Sequence, residues 1–134
     1  MKDLMMSFYD AFNADELLSE HIDNQSIKFI NYPNANEIKN VMIVIDELKS
    51  PVPRDYADDD NLTYEFVYQV DVFVKENSTT NSRLLCERLI LRVQRIMWQE
   101  FGFGEIDSLR PTYDDEYGLY RRAKVFKGKQ YYKL

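Results

Sequence analysis

The stretch LTYEFVYQVDVFVK, residues 62–75, alternates in character along its whole length and decides the fold. One face of an extended chain would carry six apolar or aromatic side chains: Tyr64, Phe66, Tyr68, Val70, Val72 and Val74. The other face would carry Glu65, Gln69, Asp71 and Lys75, together with Val67 and Phe73. A period of two over this length predicts a β-strand with one face against a core. At about 3.3 Å per residue the strand would run roughly 45 Å, so we expect it to outrun its domain and offer an edge to a neighbour.

Two strong elements flank this strand in the sequence. Residues 41–48, VMIVIDEL, are apolar and β-branched, which predicts a buried strand. A cluster of helix-capping residues at Ser78 to Asn81 precedes a long helix, which we predict from Ser82 to Phe101, with Gly102 ending it in the left-handed conformation. The buried stripe of that helix is predicted to comprise Cys86, Leu89, Ile90, Val93, Ile96 and Met97.

The remaining elements are shorter. An apolar stripe at helical spacing predicts a helix from Met1 to about Phe12, and Asp15 can cap a second short turn. We expect a brief strand over Ile27–Ile30, an extended segment over residues 106–113 and a last strand from Tyr117 to about Lys127. The order predicts a single α+β domain over residues 1–134, a mostly antiparallel sheet with the long helix and the N-terminal helix packed on one face.

The connection from Lys49 to Asn61 stands out because of its length. It joins two strands expected to form a hairpin, yet it runs about 13 residues, whereas hairpin loops usually take about 2 to 5. It contains Pro51, Pro53 and the run Asp58-Asp59-Asp60. We predict a projecting loop at about residues 49–61, either a solvated tip or an arm that contacts a partner.

Composition excludes several classes of function. The net charge of −6 disfavours a dedicated nucleic-acid binder, because affinity for phosphates comes mainly from Lys and Arg. A single cysteine allows no internal disulfide, and we see neither a signal peptide nor an apolar run of about 20 residues. We therefore expect a protein of the cytoplasm, with no membrane partner.

Catalytic residues are few. His21 is the only histidine, and Cys86, the only thiol, lies on the predicted apolar stripe, where a buried structural role is expected. A zinc site needs more than one Cys and one His. A Mg²⁺ or Ca²⁺ site would require two acidic clusters to meet, but their spacing matches no calcium-binding loop. Phosphate-binding glycine loops are absent, so we expect no enzyme activity, no metal and no cofactor.

Charge is distributed unevenly, and this pattern points to contacts between proteins. Acidic residues cluster at Asp58, Asp59 and Asp60 and again at Asp114, Asp115 and Glu116. The second cluster is followed closely by Arg121, Arg122 and Lys124. Patches of opposite sign on one small protein can pair across copies, head to tail. The ten tyrosines also suit contact surfaces, because a buried ring can keep its hydroxyl hydrogen-bonded.

At the level of layout and texture, the chain resembles the phage tail-completion, or tail terminator, proteins of long-tailed phages. The resemblance rests on VMIVIDEL, on EFVYQVDVFVKENS leading into a helix, on the helix end WQEFGFG and on the closing YDDEYGLYRRAKVF. It covers about residues 1 to 130.

The resemblance implies a structural virion protein and no enzyme. Such proteins form hexameric rings on the tail tube, stop its growth and dock onto the head connector, while DNA only passes through the channel. The implied partners are further copies of the chain, the major tail tube protein and a head connector or completion protein. The implied location is the head-proximal end of the tail, after assembly in the host cytoplasm.

On this basis we hypothesise that both acidic clusters are interface residues. Asp114, Asp115 and Glu116 would meet Arg121, Arg122 and Lys124 of a neighbouring copy, and the segment carrying Asp58 to Asp60 would touch the tube or the connector. Three alternatives stay open: a head-completion or connector ring protein, a metal-dependent nuclease using the carboxylates, and an adaptor that binds a host protein through its tyrosines.

Overall fold

A computed structural model describes residues 3–23, 25–78 and 81–131 of the chain. The helices are α1, Leu4–Ala14; α2, Glu16–Ser19; and α3, Ser82–Phe101, with a 3₁₀ turn at Ala35–Glu37. The strands are β1, Ile27–Phe29; β2, Val41–Ala57; β3, Asp60–Lys75; β4, Gly104–Ser108; β5, Thr112–Asp114; and β6, Leu119–Tyr131. The predicted α+β class is confirmed. The start of the predicted first helix, Met1 and Lys2, lies outside the described residues.

The sheet has the order β1-β2-β3-β6-β4, with β5 also paired to β6. All pairs are antiparallel except β1 with β2, which is parallel over three residue pairs. β3 lies at the centre and pairs with β2 from Val41 to Ala57 and with β6 from Leu119 to Tyr131. The alternating stretch therefore supplies the spine of the sheet, as its period predicts.

The core lies between one face of this sheet and the helices. Phe8 of α1 sits at its centre, fully buried, with edge-on ring contacts to Tyr68, Phe101 and Phe103 at centroid distances of 5.0, 4.9 and 5.5 Å. Such edge-to-face geometry suits aromatic rings, whose edges are positive and faces negative. The predicted inward faces of β3 and α3 both belong to this core: Tyr68, Val70, Val72, Cys86, Leu89, Ile90, Val93, Ile96 and Met97.

The helix boundaries have local causes. Asn81 accepts a hydrogen bond from the Leu84 amide at 3.2 Å and caps the start of α3. Gly102, with φ +70°, ends the same helix in the predicted left-handed conformation. Asp15 caps α2 by accepting from the Leu18 amide at 3.1 Å. Among the described residues, no helix is both long enough and apolar enough to cross a bilayer.

The predicted loop at residues 49–61 is wrong. β2 and β3 continue as a ladder to the pair Ala57–Asp60, which leaves Asp58 and Asp59 as a two-residue turn. Both have positive φ, 52° and 62°, the conformation of the tight turns that follow strand twist in hairpins. Shifts of register between Glu47 and Val52 interrupt the ladder, so the alternation that would identify a strand is lost there.

Candidate assembly surfaces

The β2–β3 extension, residues 54–62, forms a two-stranded arm beyond the rest of the sheet. β6 accompanies β3 only as far as the pair Thr63–Tyr131, so the described strands past this point are β2 and β3 alone. Side chains from Pro53 to Asp60 are all exposed, and Tyr56 at the end of β2 is 68% exposed. The structure thus places Asp58, Asp59 and Asp60 at the tip of an arm and not within a loop.

Polar contacts fix the base of the arm to the sheet. Asp55, itself at positive φ, accepts a 2.6 Å hydrogen bond from the Thr63 hydroxyl and forms an ion pair with Lys129 at 3.1 Å. The Thr63 hydrogen bond, followed by the one from Lys129, holds the pKa of Asp55 below its usual value. Arg54 pairs with Glu65 at 3.6 Å. These contacts join β2 to β3 and β6 just before the free part of the arm.

The second acidic cluster forms a turn at the opposite end of β6. The carboxylate of Asp114 accepts hydrogen bonds from the Glu116 and Tyr117 amides at 3.0 and 3.3 Å, and Gly118 follows at φ +67°. Asp115 and Glu116 are exposed. The carboxylate of Asp114 therefore stabilises the turn itself, whereas the carboxylates of Asp115 and Glu116 are directed to solvent.

The end of β3 anchors this turn. Lys75 Nζ donates to the Tyr117 carbonyl at 2.6 Å, and the Tyr113 hydroxyl donates to Glu76 at 2.7 Å. That hydrogen bond, together with the charge of Glu76, raises the pKa of Tyr113 to about 12. The turn is thus held at a defined place on the sheet edge.

Two of the three predicted basic partners are engaged within the chain. Arg121 forms an ion pair with Asp71, with its Nε donating at 2.7 Å. Lys124 pairs with Glu105 at 2.7 Å and donates to the Ser108 hydroxyl at 3.3 Å. Among the described residues, only Arg122 of the three forms no ion pair with a carboxylate. The predicted contact of the acidic turn with a neighbouring copy stays a prediction, with Arg122 as its remaining basic candidate.

Asp71 is the feature that sequence reasoning missed. The period of two places it on the outer face of β3 among polar residues, yet its side chain is fully buried. Besides Arg121, it accepts from the Tyr32 hydroxyl at 3.1 Å and from Gln69 Nε2 at 2.9 Å. Burial, with the charge of Asp71, raises the pKa of Tyr32 well above its usual value. The outer face of β3 carries the apolar residues Val67 and Phe73 among its polar ones. Their presence was the signal in the sequence that part of this face is covered.

The guanidinium of Arg121 is also stacked. It lies over the Tyr32 ring at 5.7 Å and over the Phe73 ring at 5.5 Å from the centroids. A planar cation between rings and a buried carboxylate is a fixed structural group. This arrangement connects the segment before β2 to β3 and β6.

The only thiol of the sequence, Cys86, lies in the core. Cys86 is buried, as predicted, and burial raises the pKa of its thiol to about 12, so that it stays protonated at neutral pH. Its thiol donates to the Val72 carbonyl at 3.4 Å. Within residues 3–23, 25–78 and 81–131, no three His, Cys, Asp or Glu side chains come together as a set of metal ligands.

Comparison with known proteins extends to the fold only. No protein family profile matches the chain, and no curated protein matches it. One solved chain, whose name describes no activity, is similar with a TM-score of 0.55 at 16% sequence identity. The similarity spans 98% of this chain and 97% of the other. A similar fold thus occurs in a solved chain of about the same length.

Proposed function

We propose that this chain is a structural virion protein of a long-tailed phage, which forms a ring on the end of the tail tube, ends tube growth and joins the tail to the head connector. The observation that carries the proposal is the arm of residues 54–62, a mostly exposed extension of the central strands with an acidic tip. A small protein with such an arm has the means to reach a neighbouring subunit. The resemblance of the sequence to tail terminators supports the same role.

The distribution of ionisable groups also supports a structural role. The buried carboxylate of Asp71 accepts hydrogen bonds from Arg121 and Tyr32, whereas two runs of exposed carboxylates, residues 58–60 and 114–116, lie at separate ends of the sheet. Such exposed clusters steer and orient subunits more than they add affinity. In a channel, an acidic balance would let DNA pass with few phosphate contacts.

Electron microscopy of a lysate from a phage with this gene deleted tests the proposal. We expect full heads beside unjoined tails of uncontrolled length. Normal-length tails beside unjoined heads would move the protein to the head side of the joint, as a completion or connector protein. Intact infectious particles would refute a role in assembly.

A further inference from the structure

The outer face of α3 carries a second apolar stripe besides the buried one. Leu84, Arg88, Leu91, Arg95 and Trp98 are separated by four, three, four and three residues, a spacing that keeps them on one side of a helix. All five are exposed, and the three apolar members are 44%, 48% and 54% exposed. The stripe runs about 21 Å along the helix at 1.5 Å per residue.

The composition of this stripe is that of a protein contact. A single exposed leucine is ordinary, but three large apolar side chains seven residues apart form a continuous line. Trp and Arg are the residues most enriched where interfaces concentrate their binding energy. Arg88 and Arg95 form no ion pair within the described part of the chain, so the stripe alternates apolar groups with uncompensated positive charge.

The arm tip has the complementary composition. Asp58 and Asp59 lie exposed at the turn and form no ion pair among the described residues. Tyr56, which pairs with Asn61 and is 68% exposed, adds an aromatic ring beside them. The two carboxylates and the aromatic ring of the arm tip are complementary to the two guanidiniums and three apolar side chains of the stripe. Beyond the contacts of Arg54 and Asp55 at its base, the free part of the arm, residues 56–61, extends roughly 7 Å, which is within the length of the stripe.

We propose that the arm tip of one copy docks on the outer α3 face of a second copy, with Tyr56 against Leu91 and Trp98, and Asp58 and Asp59 against Arg88 and Arg95. The inference rests on the proposed ring and names the surfaces that build it. Because arm and helix are different surfaces, the contact is heterologous, and repetition closes a ring if the rotation per subunit permits.

Disulfide trapping between two differently substituted chains tests this contact without changing any residue named in it. Ala57→Cys places a thiol at the arm tip, while Gln99→Cys and Glu87→Cys place one beside either end of the stripe. The native Cys86 is buried and stays unreactive. An Ala57→Cys chain is mixed at about 1 mM with one helix variant in a glutathione buffer, and covalent dimers are quantified by gel electrophoresis, since docking raises the effective thiol concentration.

At least one helix variant should give about tenfold more mixed dimer than Glu20→Cys, an exposed control outside the stripe. Adding Arg88→Glu and Arg95→Glu to that variant should reduce trapping about tenfold, and Asp58→Lys with Asp59→Lys on the arm chain should restore it. Trapping no stronger than the control at both helix positions would overturn the proposal. So would Ala57→Cys chains that dimerise equally well with themselves, since that result indicates contact between two tips.

The two proposals fail separately. Unjoined tails in the deletion lysate without trapping would keep the tail role and reject this contact. Trapping with intact particles in the deletion lysate would keep the contact and reject the tail role.

Discussion

At the scale of single residues, Asp71 shows how this chain keeps a charge in its interior. A buried carboxylate is costly to remove from water unless it is paired and hydrogen-bonded. Here Arg121, Tyr32 and Gln69 all donate to it, and no buried side-chain polar atom of the described residues lacks a partner. The cluster thus fixes the relative positions of three segments, at little net gain in stability.

Removing Arg121 should be far more harmful than removing its neighbour. Arg121→Ala leaves Asp71 buried with only neutral donors, and we expect a loss of about 3 kcal/mol in the free energy of unfolding, measured in urea. Arg122→Ala is the matched control, because Arg122 forms no ion pair with any described residue, and it should cost less than about 1 kcal/mol. In the background Asp71→Val, Arg121→Ala should cost much less than alone. Equal losses for the two single arginine variants would contradict this account.

Gly128 illustrates a second kind of constraint, the close approach of backbone to a ring. A Cβ at this position would lie 2.5 Å from a carbon of Phe103, which is fully buried. We expect Gly128→Ala to cost about 1 to 3 kcal/mol through forced repacking, read as a lower midpoint of urea unfolding. Gly104→Ala is the control: its Cβ would meet only Trp98, at 3.8 Å, and should change stability little. A neutral Gly128→Ala would mean that Phe103 can move aside.

At the scale of elements, one ion pair holds the short helix α2 against α3. Asp15, the cap of α2, accepts from Arg92 Nε at 2.9 Å and from its Nη2 at 2.6 Å. Burial by itself would raise the pKa of Asp15, but Arg92 and the backbone amides of Leu18 and Leu17 outweigh it, and the pKa is lowered. A lowered pKa in the folded state means that the carboxylate stabilises the fold at neutral pH.

Because the pKa of Asp15 is lowered on folding, the effect of Asp15→Asn on stability should depend on pH. The amide still caps α2 but loses the charge, so the variant should be less stable than the wild type by about 1 kcal/mol at pH 7. The difference should be complete above the ordinary value of 3.8 and should disappear as pH falls through the lowered pKa. Urea titrations at pH 7 and pH 2 measure it, with Glu16→Gln, an exposed neighbour, as the control. A difference that does not shrink between pH 7 and pH 2 would show that the charge is not responsible.

The sequence predicts an element well when its residues follow the regular spacing of a helix or a strand, and poorly when the structure depends on irregular or long-range contacts. The bounds of α3 and the faces of β3 follow from periodicity, and Gly102 from the need for a left-handed residue. The arm does not follow, because Pro51, Pro53 and the register shifts remove the alternation. Its turn residues, Asp58 and Asp59, are also less distinctive than Asn-Gly. The Asp71 cluster joins residues 32, 69, 71 and 121, which are too far apart in the sequence for a local pattern to reveal their contact. The exposed stripe of α3, by contrast, could have been identified from its helical spacing.

At the scale of the whole molecule, the arm should be dispensable for folding and required for function. Replacing residues 55–62 by Asn-Gly would close the hairpin on the pair Arg54–Thr63 and keep the rest of the sheet. Because the removed side chains are mostly exposed, we expect the same circular dichroism spectrum and a small change in unfolding free energy. In complementation of the gene deletion, the shortened protein should fail to restore joined particles.

Asp58→Asn with Asp59→Gly is the matched control for this truncation. It keeps the arm and favours the same turn while removing both charges. It therefore separates the effect of the length of the arm from the effect of its charge. Restoration of joined particles by the truncated protein would refute a role for the arm.

The outer edge of β2 has a consequence for the protein before it meets any partner. β1 covers this edge only from Ile43 to Ile45, and within the described chain no strand pairs with Leu48 to Ala57 on the side away from β3. Pro51 and Pro53 lie in that stretch and have no N–H to donate, so an incoming strand finds an incomplete row of donors. Pro51 and Pro53 interrupt the alternation that would identify this strand in the sequence. By the same property they disfavour edge-to-edge pairing of newly made chains, and therefore fibril-like polymerisation.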